Sequence, residues 1–465
     1  MTTQQTEPET RIAHPSSFRD NAAFLFYQGG ELYRTISEAY RLEYEFLHSS
    51  GLYAELMTRR WLVPHEKTDL IPPNGFFLVL RPEMLPLVTY PYEWSFSQLK
   101  QAALLTLDLC SLALRHGMTL RDASSFNVGW KEGRPIFIDL PSFRRVKPGE
   151  PWLAYRQFCS HFLAPLALMQ YVDLSLQKLL INHVDGLPLD LTSKLLPRST
   201  YLNFNILIHV HLHARAQKKY SQSDKKITVN VSDQTLNNLF QSLRLTVESL
   251  KLPKIVTEWG DYYSGTNYTE EQFSQKRKVV SEWIEQVRPS KVLDLGANDG
   301  TFSRIACAKA DLVVSSDIDP IAVEKNFSYA TKHSLTNLIP IIQDLTQPSP
   351  GIGWALKERL PLRDRLKPDL GLALALIHHL AISNNTPFEK IFDFFANLAP
   401  NWIIELPTKE DSQVQRLLQN REDIFTNFTL DGFEKAALQH FEILKRCPID
   451  GSQRFLYLLH KRVHQ

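Results

Sequence analysis

The run Val292-Leu293-Asp294-Leu295-Gly296-Ala297-Asn298-Asp299-Gly300 limits what this chain can fold into more than any other stretch. An apolar strand passes straight into a turn of small residues, and the turn opens a helix. Gly296 and Gly300 let a ligand and the next helix come close to the backbone, and Asn298 belongs to one of the few non-glycine types that tolerate a positive φ. A strand ending this way offers backbone amides and a helix N-terminus to whatever lies above it.

Beyond this turn the chain alternates regularly between strand and helix. A helix is expected over Thr301–Lys309, then an apolar strand Asp311–Asp319, a helix from Ile321, a strand Leu338–Asp344, a strand Asp369–Leu376, a helix Phe388–Leu398 and a strand Asn401–Leu406. Two closing runs, Phe441–Cys447 and Arg454–Lys461, are joined by a turn at Pro448–Ser452. Strands alternating with helices at this spacing predict a Rossmann-like, mainly parallel sheet covered on both faces, with an antiparallel hairpin at one edge. Asp317 ends the second strand, where a carboxylate can accept both hydroxyls of a ribose. Asp344 ends the third, as expected of a group facing an adenine amine.

Three strand-end acids around a glycine turn resemble the class I S-adenosylmethionine-dependent methyltransferases, over roughly Lys291 to Arg462. The resemblance implies S-adenosylmethionine as cofactor, with Asp294, Gly296, Asn298 and Gly300 around its methionine part, Asp317 at the ribose and Asp344 at the adenine. A nicotinamide-binding domain would call for GxGxxG, which the turn lacks. If the methyl acceptor must lose a proton, the base is expected at the end of the fourth strand, where His378 and His379 stand. The alternative for this pair is a packed, hydrogen-bonded structural feature. Glu405 is a further candidate for acceptor binding. Gln347–Trp354 and Asp261–Tyr268 are candidate walls of the site.

The first 250 residues read differently. A long buried helix is expected over Phe96–Arg115, followed by a hairpin whose arms, Phe126–Trp130 and Pro135–Leu140, flank the turn Lys131–Arg134. Asp122, then Asn127, then Asp139 after the second arm is the order in which protein-kinase-type phosphotransferases place a catalytic base and two metal ligands. The stretch looks like the catalytic loop and hairpin of aminoglycoside-kinase-like proteins, which implies an α+β, protein-kinase-like domain over residues 1–250 before the methyltransferase domain at 251–465. Leu120 stands where histidine is usual, Asp139 is followed by Leu-Pro, and the nearest substitute for a phosphate loop and lysine is Gly29-Gly30 with Arg34. The expectation is therefore a scaffold that binds the acceptor or its carrier. The alternatives are a bifunctional phosphotransferase-methyltransferase using Asp122, Asn127 and Asp139, and a non-catalytic cofactor-binding partner protein. The whole chain, including the phrase Tyr90–Leu107, resembles bacterial methyltransferases of the nodulation protein NoeA type.

Composition adds exclusions. The 465 residues exceed one ordinary core, and 43% apolar residues suffice for two. Lys and Arg exceed Asp and Glu by only two, so nothing in the balance calls for nucleic acid; the basic loop Arg215–Lys226 is expected to be solvated. No apolar run of membrane-spanning length occurs, and the polar N-terminus lacks the pattern of a secretory signal. The cysteines at 110, 159, 307 and 447 have no metal-ligand spacing, so neither a zinc site nor a disulfide framework is expected, and a cytoplasmic protein is. His209, His211 and His213 alternate as on one face of a strand, but no carboxylate or cysteine stands near them to complete a metal site. The methyl acceptor and the oligomeric state are not written in the sequence.

Overall fold

The computed structural model describes residues 10–220, 230–255, 257, 268–419 and 421–462. The chain divides into two compact units, Met1–Pro253 with Gly351–Leu360, and Lys254–Pro350 with Pro361–Gln465.

The second unit is built on a seven-stranded sheet. Its strands are β1 (Lys291–Leu295), β2 (Leu312–Asp317), β3 (Leu338–Ile342), β4 (Leu370–Ala373), β5 (Asn401–Pro407), β6 (Phe441–Pro448) and β7 (Arg454–Lys461). Their spatial order is β3-β2-β1-β4-β5-β7-β6, with β1 to β5 parallel and β7 antiparallel to both neighbours. The expected closing hairpin is present, and β7 lies inside the sheet, leaving β6 as the edge. β2 and β3 are buried along their whole length, as a sheet covered on both faces requires. Pro340 is tolerated in β3 because that strand is the other edge.

The chain winds outward from β1 through β2 to β3 and then returns to the far side of β1 as β4. The crevice at the carboxyl ends of β1 and β4 is therefore a topological switch point, where open α/β sheets place their ligands. The packing beneath it is tight. Gly371 of β4 pairs with Trp402 of β5, and a Cβ on Gly371 would lie 2.4 Å from the indole ring. That ring stacks on Phe395 at 4.0 Å, and its Nε1 donates to the Phe395 and Ala399 carbonyls at 3.1 and 3.2 Å.

In the first unit, Ile12–Ala13, Ala23–Gln28, Glu31–Ser37, Phe76–Pro82 and His65–Lys67 form an antiparallel sheet in that spatial order. The Gly29-Gly30 pair makes the turn between the second and third strands, both glycines at positive φ. The helix Phe96–Arg115 matches expectation, and the Gln98 side chain accepts from the Ser95 amide at its start. So does the hairpin, with arms Val128–Lys131 and Arg134–Phe137 and a turn in which Glu132 and Gly133 both have positive φ.

The sequence expectations for residues 209–220 are corrected. His209, His211 and His213 lie on a helix, not a strand. His209 bonds Tyr155 and Ser242 at 2.8 and 2.9 Å, His211 bonds Ser193 and Thr200 at 2.7 and 2.9 Å, and His213 stacks on Tyr155, so the three serve packing. The second unit is also interrupted, since Gly351–Leu360 folds with the first. Glu358 takes a bidentate bond from Arg19 at 2.8 and 3.0 Å, Arg359 lies over the Phe126 ring, and the Leu360 amide donates to the Tyr90 hydroxyl at 3.1 Å. Of the expected basic loop, Arg215–Tyr220 is instead part of the helix His213–Tyr220, and Ser221–Lys226 lies outside the described residues. No described helix is long and apolar enough to cross a membrane.

Replacing Gly371 by alanine drives a methyl into the Trp402 ring and is expected to cost about 1–3 kcal/mol, read as a lower urea midpoint with unchanged far-UV dichroism. An unshifted midpoint would mean that the indole moves aside freely.

Candidate active site

A cavity of about 320 Å³ opens at the carboxyl ends of β1 to β4. Its floor is the turn after β1, where Gly296, Asn298 and Gly300 have φ of 68°, 49° and 82°. The Asp317 carboxylate fixes that turn, accepting the Asn298 amide at 2.8 Å and the Asp319 amide at 2.9 Å. Asp299 closes it, accepting from the amide and hydroxyl of Thr301 at the start of the helix Thr301–Cys307.

Of the residues expected to hold a cofactor, Asp294, Gly296, Asn298, Asp317 and Asp344 line this cavity. Gly300 does not. A Cβ there would lie 2.1 Å from the Asn326 side chain, so its glycine serves packing of the turn and its positive φ. A Cβ on Gly296 would come to 3.1 Å from Leu376, itself a lining residue. Asp344 stands two residues beyond β3, held by bonds from the Thr346 amide and hydroxyl at 2.9 and 2.6 Å.

Burial sets the acids' titration. Asp294 accepts a bond from the Ser303 hydroxyl at 2.6 Å, yet desolvation raises its pKa to about 7. Asp317 is raised to about 6 for the same reason, with its two backbone amides pulling the other way.

The two histidines part company. His379 lines the cavity, and burial, assisted by the Arg454 charge, lowers its pKa to about 4, so its ring is neutral at pH 7. His378 is outside the cavity lining, and burial lowers it well below the ordinary value.

Glu405 also lies outside the lining, because it is fully buried on β5. It accepts from Tyr268 and Lys276, and from Arg454 at 2.9 Å, and these cations hold it below the usual carboxylate range despite burial. Arg454 grips Asp411 as well, at 2.7 and 3.1 Å. Lys276 and Tyr268 do reach the cavity, with Phe273 and Phe302. The sequence reading missed Lys276, although its spacing from Phe273 and Val280 puts a charge on the apolar stripe of the helix Glu270–Val287.

The expected wall Gln347–Trp354 does not line the cavity; the lining on that side ends at Thr346, before the chain folds onto the first unit. Of the other wall, Asp261–Asn267 lies outside the described residues and Tyr268 is in place.

In the first unit, Asp122 accepts the Ser124 amide at 2.9 Å, and burial, then Asp139, raises its pKa. Asp139 accepts from Arg34 at 3.2 Å and from Ser142. The buried Asn127 amide nitrogen donates to no described group. No group of three or more His, Cys, Asp or Glu side chains placed to hold a metal occurs among the described residues.

No family model matches the chain. Nodulation protein NoeA of Rhizobium meliloti (strain 1021) is 32% identical over 455 residues, spanning 95% of this chain and 94% of its own length. The chain belongs to the NoeA family. Similar solved structures include the N-methyltransferase NodS from Bradyrhizobium japonicum WM9, 10% identical over 42% of this chain and 98% of its own, with a TM-score of 0.31. The PH0226 protein from Pyrococcus horikoshii OT3 is 18% identical over 43% and 99%, with a TM-score of 0.30.

In this NoeA-family chain the cavity residues fit S-adenosylmethionine. Positive φ at Gly296 and Asn298 leaves the backbone of the turn open to a ligand, and Asp317, pinned by two amides, keeps lone pairs for hydroxyl donors. Asp344 has its second carboxylate oxygen for an amine.

A carboxyl whose folded pKa is raised binds its proton more tightly folded than unfolded. The Asp294 contribution to apo stability is thus present at low pH and is lost as pH rises toward about 7. Asp294→Asn keeps the shape and removes the titration, so its urea midpoint should fall less than wild type between pH 4.5 and 7.5. Parallel pH profiles for the two proteins would contradict the assignment.

Proposed function

We propose that this chain transfers the methyl group of S-adenosylmethionine to an oxygen or nitrogen acceptor, with the first unit binding the acceptor or its carrier. On this reading it is an enzyme of the S-adenosylmethionine-dependent methyltransferase class with S-adenosylmethionine as its cofactor. One observation carries the reading: Asp294, Asp317 and Asp344, from the ends of three adjacent strands, meet in one cavity around the turn Gly296–Asn298.

The cofactor supplies a methyl group on a sulfonium, so transfer neutralises charge, and alignment can provide most of the acceleration. In our reading Asp317 accepts the ribose hydroxyls, Asp344 the adenine amine, and the turn holds the methionine part. Leu374 and Leu376 keep water from the reacting end. His379, neutral at pH 7, accepts a hydrogen bond from the acceptor and takes its proton where one is released.

For the first unit we propose a kinase-like scaffold without phosphoryl transfer. The Arg34 guanidinium already occupies Asp139, one of the two residues a magnesium ion would need, and Asp122 is committed to its own turn. Four unpaired cysteines suit a cytoplasmic setting.

Calorimetric titration of the full chain with S-adenosylmethionine should show one-site binding, and Asp317→Ala should weaken it by about 1.5–3 kcal/mol while also lowering the apo melting temperature, since the Asn298 and Asp319 amides lose their acceptor. Loss of apo stability without loss of affinity would make Asp317 structural. With ATP and magnesium the full chain should release no phosphate; magnesium-dependent release abolished by Asp139→Ala would establish the bifunctional alternative.

A further inference from the structure

An amino-acid carboxylate buried beside a protein wall needs a cation or several donors, since leaving an ionised group unpaired in a poorly polar site costs several kcal/mol. Among the described residues lining the cavity, Lys276 is the one lysine or arginine. Its side chain is almost fully buried, with Nζ 5.0 Å from the centre of the Tyr268 ring and 4.7 Å from that of Phe302. Asp294 lines the same cavity, and its charge acts on Lys276.

The partner of Lys276 inside the protein does not exhaust it. Glu405 also takes Arg454 and Tyr268, so its charge is compensated from two sides, and the Lys276 ammonium has three donors to distribute. Arg454 is in turn held by Asp411, which keeps the arrangement in place from behind. A lysine that served only to neutralise Glu405 would have no need to stand in the cavity wall.

We propose that Lys276 binds the carboxylate of the cofactor's amino-acid part while Asp294 takes its ammonium, so that the two side chains bracket a free α-amino acid. Glu405 and Arg454 are positioning residues in this scheme: they aim Lys276 without touching the ligand. The proposal rests on the methyltransferase reading. It adds a requirement that reading does not contain, namely that the carboxylate of this amino-acid group is recognised by a charge on the helix Glu270–Val287.

The test compares three probes by calorimetry on the full chain: S-adenosylhomocysteine, its decarboxylated analogue, and 5′-methylthioadenosine, which lacks the amino-acid part. Wild type should bind S-adenosylhomocysteine roughly ten- to a hundredfold more tightly than the decarboxylated analogue, the range expected for a charged hydrogen bond. Lys276→Gln should lose that advantage while binding 5′-methylthioadenosine as wild type does, which also reports that the variant is folded. Lys276→Arg should recover part of it. Equal binding of S-adenosylhomocysteine and its decarboxylated analogue by wild type overturns the proposal whatever the variants do. So does a Lys276→Gln protein that keeps the preference, or that loses affinity for all three probes alike. Wild type that binds none of the probes overturns the methyltransferase reading itself, whereas binding without a carboxylate preference leaves that reading standing and removes Lys276 from it.

Discussion

One carboxylate organises the site. Asp317 ends β2, and by accepting the Asn298 amide it ties that strand to the turn after β1. Without the bond, a turn with positive φ at both Gly296 and Asn298 would have a donor facing a low-dielectric crevice with no partner. With it, the turn is held open, the helix Thr301–Cys307 starts where Asp299 can cap it, and the crevice between β1 and β4 keeps its shape. The cost is carried by the carboxylate itself, which is almost completely buried.

Around that centre the second unit gathers an unusual amount of buried charge. Lys276, Arg454, Glu405 and Asp411 are each nearly or fully inaccessible, and they are joined by direct contacts. Such a group adds little net stability relative to a well-packed apolar core, because desolvation offsets attraction. What it provides is direction. The contacts fix the place of Lys276 in the cavity wall, and the neutrality of His379 arises from burial together with the field of Arg454.

The parts of this architecture that were legible in the sequence are those written in local chemistry. Only a few residue types accept the backbone of Gly296 and Asn298, and apolar runs such as Leu312–Val314 announce strands whatever surrounds them. Asp317 was legible because it ends such a run. Lys276 was passed over because a lysine on an amphipathic helix is ordinarily solvated, and its meaning depends on Glu405, far along the chain. The His209–His213 alternation mimicked a strand because every second residue is polar, yet the tertiary bonds to Tyr155, Ser193, Thr200 and Ser242 are made from a helix. Gly300 packs against Asn326, a contact no spacing rule reveals.

The excursion of Gly351–Leu360 into the first unit has a consequence for how the chain is made. A ribosome delivers residues in order, and the first unit is not finished when Pro253 emerges: Arg19, Tyr90 and Phe126 wait for Glu358, Leu360 and Arg359. By then β1, β2 and β3 have already been synthesised. The two units are therefore interleaved in time as well as in sequence, and a gene cut near codon 253 yields two fragments, each holding half of the same set of contacts.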